Sequence, residues 1–140
     1  MTSQQTRWIR GGLAYLTMSF LAVGAWATFA PASFYTHFPG WGHPWLAGDG
    51  PYNAHLVTDA GVGFLAVAAV LLVAALRPAV AVARLALLAA LVHGVPHLAF
   101  HLVHPDHSLA STDQMLSTVG LAVNLVAAAA LLLHVQSRDS

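Results

Sequence analysis

Five histidines, His93, His97, His101, His104 and His107, fall within a single segment that is otherwise apolar enough to lie in a bilayer. At about 100° per residue the first four lie within roughly 80° of one another, so a helix carries them as one stripe. An imidazole in hydrocarbon must face protein, water or a metal, which makes an intramembrane histidine stripe a candidate functional site. Its chemistry would be metal ligation, proton transfer or hydrogen bonding to a buried ligand.

A second pair, His55 and Asp59, stands one helical turn apart in the preceding apolar segment. If His104 marks the outer interface, His101 lies about 4 to 5 Å deeper, His97 about 10 Å and His93 about 16 Å, near the midplane. The His55 segment runs the opposite way, which brings Asp59 level with His97 or His101. His55, Asp59, His97 and His101 then form an N,N,N,O set from two adjacent helices. Such donors suit a transition metal such as Cu, Fe or Zn. Asp59 is either a ligand or the carboxylate that orients a ligating histidine through its N–H. His93 and His104 are the candidate proton-transferring groups. Asn124, at matching depth in the last segment, is a hydrogen-bonding partner of His93 or a deeper substrate contact.

Two other uses of the stripe stand beside ligation. A protonatable relay or ligand pocket needs the same imidazoles without a metal, and plain packing needs only neutral rings bonded to Asn124, Asp59, hydroxyls or carbonyls freed by Pro96. Haem ranks below a mononuclear or dinuclear site, because bis-imidazole ligation would have to draw on His55 or His101. His134 is alone near the far end of its segment. His37 and His43 sit in a loop and carry no special expectation, and His107 either extends the site or pairs with Asp106.

The elements that must position these groups are set by composition. Of 140 residues 58% are hydrophobic and 7% charged, against about a quarter charged in a soluble domain, so the chain is expected to be an integral membrane protein. Apolar runs at about 11–30, 56–76, 79–103 and 114–133 each approach the roughly 20 residues needed to span. The expected fold is all-α, an antiparallel four-helix membrane bundle forming one domain over 1–140, with an outer loop at 31–55. Arg7 and Arg10 before an apolar run, with Ala25-Trp26-Ala27 like a small-residue cleavage site, resemble a secretory signal; at about 20 residues the run exceeds the usual signal core, and a retained span is expected.

All five basic residues are arginines, at 7, 10, 77, 84 and 138, and all fall on one side of a four-span protein. The positive-inside rule places both termini and the Arg77-Pro78-Ala79 turn in the cytoplasm, with the protein in the inner or plasma membrane. The outer loop, with Phe34, Tyr35, Phe38, Trp41, Trp45 and Tyr52, reads as an interfacial anchor ahead of a lid or substrate gate. The absence of cysteine removes thiolate sites and disulfides. Scattered arginines at zero net charge leave no nucleic-acid surface. No acid-base-nucleophile set or phosphate-binding glycine loop is present.

The segments RWIRGGLAYLTMSFLAVGAWATFAP, FYTHFPGWG, GPYNAHLVTDAGVGFLAVAAVLL and VHGVPHLAFHLVHP together resemble a family of small four-span bacterial membrane proteins, distantly DoxX-like. The resemblance covers nearly the whole chain, with PYNAHLVTD and HGVPHLAFHLVH its more specific parts. It implies a four-helix bundle and redox or accessory work in membrane redox assemblies. It also draws Tyr52 and Asn53 into one set with His55, Asp59, His93, His97, His101 and His104, which adds Tyr52 and Asn53 to Asn124 as substrate-pocket candidates.

The resulting expectation is a His/Asp metal pocket in the outer half of the bundle, serving oxidation of a lipid-soluble molecule. The alternatives are metal handling or transport, and a noncatalytic lipid-binding or accessory subunit. Expected partners are the bilayer, a lipid-soluble small molecule, and either further copies of the chain or a membrane redox protein. Transport is disfavoured by the lack of histidines between the midplane and His134.

Overall fold

A computed structural model describes residues 3–136 apart from Ala47, Asp49, Pro78 and His107, with side chains from Arg7 onward. Among these residues the fold is all-helical: α1 Ser3–Phe29, α2 Pro31–His37, α3 Ala54–Leu76, α4 Val80–Val103 and α5 Ser111–Gln136. Four of the helices are long and apolar enough to cross a membrane, as a multi-pass membrane protein requires. Helices α1 and α5 extend beyond the apolar runs at about 11–30 and 114–133, because polar turns such as Ser3–Arg10 continue a helix past its apolar stretch. It also treated 31–55 as loop throughout, whereas Pro31 opens the short helix α2. Proline suits a first turn, where its missing N–H has no intrahelical role.

The four long helices form an antiparallel bundle in the cyclic order α1, α3, α4, α5, with α1 packed most extensively on α3. Its register is fixed by close approaches. A Cβ on Gly24 would lie 2.8 Å from the Leu65 backbone nitrogen and 3.0 Å from the Gly61 carbonyl oxygen, so α1 and α3 cross backbone to backbone there. Farther along the same pair, Arg10 Nε donates to the Ala75 carbonyl at 3.1 Å.

The apolar core occupies the half of the bundle that carries the arginines. Ile9, Leu13, Leu16 and Phe20 of α1 meet Ala68, Leu71, Ala74 and Ala75 of α3, Ala83, Ala86, Leu87 and Ala90 of α4, and Ala128, Leu132 and Val135 of α5. The spacing of three and four residues in each row is that of one helical face turned to a common centre. At the opposite end, called the loop end below, Trp26, Phe34, Phe38 and Trp45 pack ring against ring, with Phe34 and Phe38 centroids 4.7 Å apart. Asn53 caps α3 by accepting from the Leu56 N–H at 3.2 Å. The loop is tied to α5 by His43, whose Nδ1 lies 3.1 Å from Oδ2 of the buried Asp113.

Candidate functional site

Where the apolar core ends, near Phe20, Ala68 and Ala90, a cavity begins. It is lined by Phe20 of α1, Phe64 of α3, Ala90, His93, Gly94 and His97 of α4, and Leu121, Asn124 and Leu125 of α5, so all four spanning helices contribute. About 330 Å³ of empty space lies within it, part of that open to the outside. The enclosed part has room for only one or two water molecules. Beside the cavity α4 and α5 approach closely, and a Cβ at Gly94 would come within 2.8 Å of Leu125 Cδ2.

His93 is gripped by two aromatic edges, with ring centroids 5.4 Å from Phe20 and 4.4 Å from Phe64. Its Nε2 is buried and has no hydrogen-bond partner. On α5, Asn124 donates through Nδ2 to Ser19 Oγ of α1 at 2.8 Å, and its buried Oδ1 has no partner either. In this orientation of the amide its oxygen is the free atom. Two polar groups on different helices are thus desolvated at one cavity without being satisfied, each an unfavourable state of about 1–3 kcal/mol. A buried polar group in that state calls for a partner such as an ordered water, an ion or a ligand, or for a functional role.

From His93 a column of imidazoles runs toward the loop end. The His93 and His97 centroids are 5.8 Å apart, and those of His97 and His101 are 5.1 Å apart with ring planes at 17°. Nε2 of His97 and Nε2 of His101 are separated by 3.2 Å, so one ring donates N–H to the lone pair of the other. His104 is the C-cap of α4; its Nδ1 donates to the Phe100 carbonyl at 3.3 Å and its ring stacks on Phe100.

The structure assembles only part of the set drawn from sequence. His93, His97 and Asn124 meet at the cavity, and His101 joins through His97. His55 and Asp59 pair with each other, Nε2 to Oδ2 at 3.3 Å, but their side chains are 81% and 61% exposed. Among the described residues no three His, Asp or Glu side chains come together as a metal would require. The expected four-residue ligand set is therefore divided into two pairs, and the reason is rotational. Phe64, which touches both His93 and His97, lies about 140° around α3 from Asp59. Tyr52 packs on Tyr35 and Asn53 caps α3, and neither lines the cavity. His107 lies outside the described residues.

Sequence reasoning missed Phe20, Phe64 and Ser19. A signal for Phe20 existed: it ends the row Leu13, Leu16, Phe20 and so faces inward. His43 was given no role, yet it holds a buried carboxylate. No protein-family model, curated protein or solved structure matches this chain, and its site is defined by its own residues.

Proposed function

We propose that this membrane protein takes up a lipid-soluble small molecule whose polar head hydrogen-bonds to His93 Nε2 and Asn124 Oδ1, and that the histidine column carries protons between that head and the loop end. The supporting observation is the pair of unsatisfied buried polar atoms facing one cavity. The enclosed space accepts a hydroxyl or carbonyl group and little more, so the apolar remainder of the ligand lies toward the open side. Asn124 Oδ1 accepts from a ligand O–H. His93 Nε2 donates or accepts according to its tautomer. The His97–His101 bond passes a proton when one ring takes one up at Nδ1, gives its Nε2 proton to the other, and that ring releases one from its own Nδ1. Arginine placement puts both termini in the cytoplasm of an inner or plasma membrane, so the column opens to the outer side. The DoxX-like resemblance makes oxidation or reduction of the bound molecule, alone or within a larger redox complex, the reaction class to assay first.

A second reading has one observation in its favour. Two nitrogens held about 2.0–2.1 Å from one tetrahedral ion sit roughly 3.3 Å apart, close to the 3.2 Å between His97 and His101 Nε2. A transition metal held by these two residues would draw its remaining ligands from water or the cavity's occupant, and would supply Lewis-acid or redox chemistry there. His55 and Asp59 have no part in it.

The test is extraction of protein purified without a histidine tag in native lipid discs, comparing wild type with His93→Leu/Asn124→Leu by mass spectrometry and with His97→Ala/His101→Ala by elemental analysis. A near-stoichiometric lipid-soluble compound lost in the first variant supports the cavity reading, whereas identical extracts overturn it. Stoichiometric metal lost only in the second variant establishes the metal reading.

A further inference from the structure

The molecule proposed to occupy the cavity has to reach it from the bilayer, and the four seams between helices differ at that level. α1 meets α3 backbone to backbone at Gly24, Gly61 and Leu65. Between α3 and α4, Phe64 lies against both His93 and His97. Between α4 and α5, Gly94 sits close against Leu125. The seam between α1 and α5 is the least extensively packed of the four.

That seam is held at two levels. Toward the arginine end Gly12 sits against Leu131, and nearer the cavity Asn124 and Ser19 share a hydrogen bond of 2.8 Å. These two pairs fix an antiparallel register in which Val23 stands level with Gly120. Both residues continue the facing rows: Val23 lies about 20° around α1 from Gly12 and 40° from Ser19, and Gly120 lies about 20° around α5 from Leu131 and 40° from Asn124. Yet a Cβ added to Gly120 would meet nothing within 4 Å, whereas one on Gly12 would lie 2.7 Å from Leu131 Cδ1. The seam therefore opens one turn beyond the Ser19–Asn124 bond, on the loop-end side. The close crossing at Gly24 and Gly61 accounts for it, because it draws this half of α1 toward α3 and away from α5. The opening faces hydrocarbon: Gly120 is nine residues, about 13 Å, from the start of α5, and the neighbouring Val119 and Val123 are 49% and 48% exposed.

We propose that the slot between Val23 and Gly120 is the lipid-side entrance to the cavity, and that it takes a linear apolar molecule ending in a hydroxyl or carbonyl group. This inference rests on the cavity reading above. At the inner end, His93 Nε2 and Asn124 Oδ1 are buried without partners, in a space that admits one small polar head. At the outer end the slot is narrow and bordered by valines, so the chain of the ligand lies there and continues into the bilayer.

The absence of cysteine makes the test direct. Leu121→Cys, on the cavity wall, is reconstituted in phosphatidylcholine vesicles and labelled with N-phenylmaleimide, which partitions into the bilayer. Adding Gly120→Phe should slow labelling about tenfold, since a phenyl ring overfills the slot. Gly63→Phe, on α3 where an added Cβ also meets nothing within 4 Å, should leave the rate unchanged. Val23→Phe gives the same reading from α1 in case Gly120→Phe fails to insert. Dodecanol should protect the cysteine and dodecane should not. Equal labelling rates in the Gly120→Phe, Val23→Phe and Gly63→Phe proteins overturn the entrance, as does faster labelling by a charged, membrane-impermeant thiosulfonate once intrinsic reactivities are corrected for. Equal protection by dodecane overturns the assignment of a polar-headed ligand. Labelling slowed by Gly120→Phe without protection by dodecanol would leave the entrance standing and remove the cavity reading, and protection without any effect of Gly120→Phe would do the reverse.

Discussion

Replacing His93 with phenylalanine tests whether the cavity is a site or merely an imperfectly filled core. Nε2 of His93 is buried without a partner, and a desolvated polar atom in that state costs about 1–3 kcal/mol. A phenyl ring keeps the edge contacts to Phe20 and Phe64, which stand at centroid distances of 5.4 and 4.4 Å and are worth about 0.5–1.5 kcal/mol each. Its extra volume enters a cavity that already has room for a water molecule. The His93–His97 ring contact survives in altered form, so the net expectation for lipid-stripped protein is a gain of about 1–3 kcal/mol. Reversible unfolding in mixed SDS micelles, followed through the emission of the four tryptophans, measures it. A loss of stability would refute the reasoning, because it would mean that Nε2 is engaged in the native bundle. A second stage separates ligand binding from packing. Restoring the lipid extract should stabilise wild type through binding to the folded state alone and leave His93→Phe unchanged, so the advantage of the variant shrinks or reverses.

The helix crossings and the loop-end tether give further outcomes. Gly24→Ala should destabilise by more than Gly12→Ala in the same unfolding assay, because the new Cβ at 24 meets backbone atoms of Leu65 and Gly61 whereas at 12 it meets only the end of the Leu131 side chain; the Gly24 change should cost about 1–3 kcal/mol. His43→Ala removes the partner of the buried Asp113. With His43 itself mostly exposed, the loss should be near 1 kcal/mol, read as roughly fivefold faster hydrogen exchange across residues 38–46 with α4 unaffected. Gly94→Val should push Leu125 into the cavity that both residues line and reduce retention of the extracted compound, while Gly63→Val, where an added Cβ meets nothing within 4 Å, leaves retention unchanged.

Depth was legible in this chain and direction was not. A rise of 1.5 Å per residue gives the level of every polar group along the membrane normal, and the level assigned to Asp59 agrees with the antiparallel register in which Phe64 faces His93 and His97. The side of α3 that turns inward is decided by packing, here by Gly61, Ala68 and Ala75. Their seven-residue recurrence is visible in the sequence, but small residues also recur at exposed positions such as Ala66 and Ala69. Periodicity alone therefore leaves α3 free to rotate, and the His55–Asp59 pair was turned toward α4 on chemical appeal. On α4 the same rule works the other way. Ala83, Ala86, Leu87 and Ala90 form its inward seam, and steps of three and four residues carry that seam on through His93, His97 and His101. Histidines thus occupy positions that hold alanine and leucine in the arginine half of the bundle. An apolar residue at each would fill the space without desolvating an imidazole. A seam that changes from apolar to imidazole midway through a membrane, at the level where Asn124 presents a second unsatisfied group, gives up packing energy for a polar surface. That exchange is what a buried site for a ligand or a proton requires.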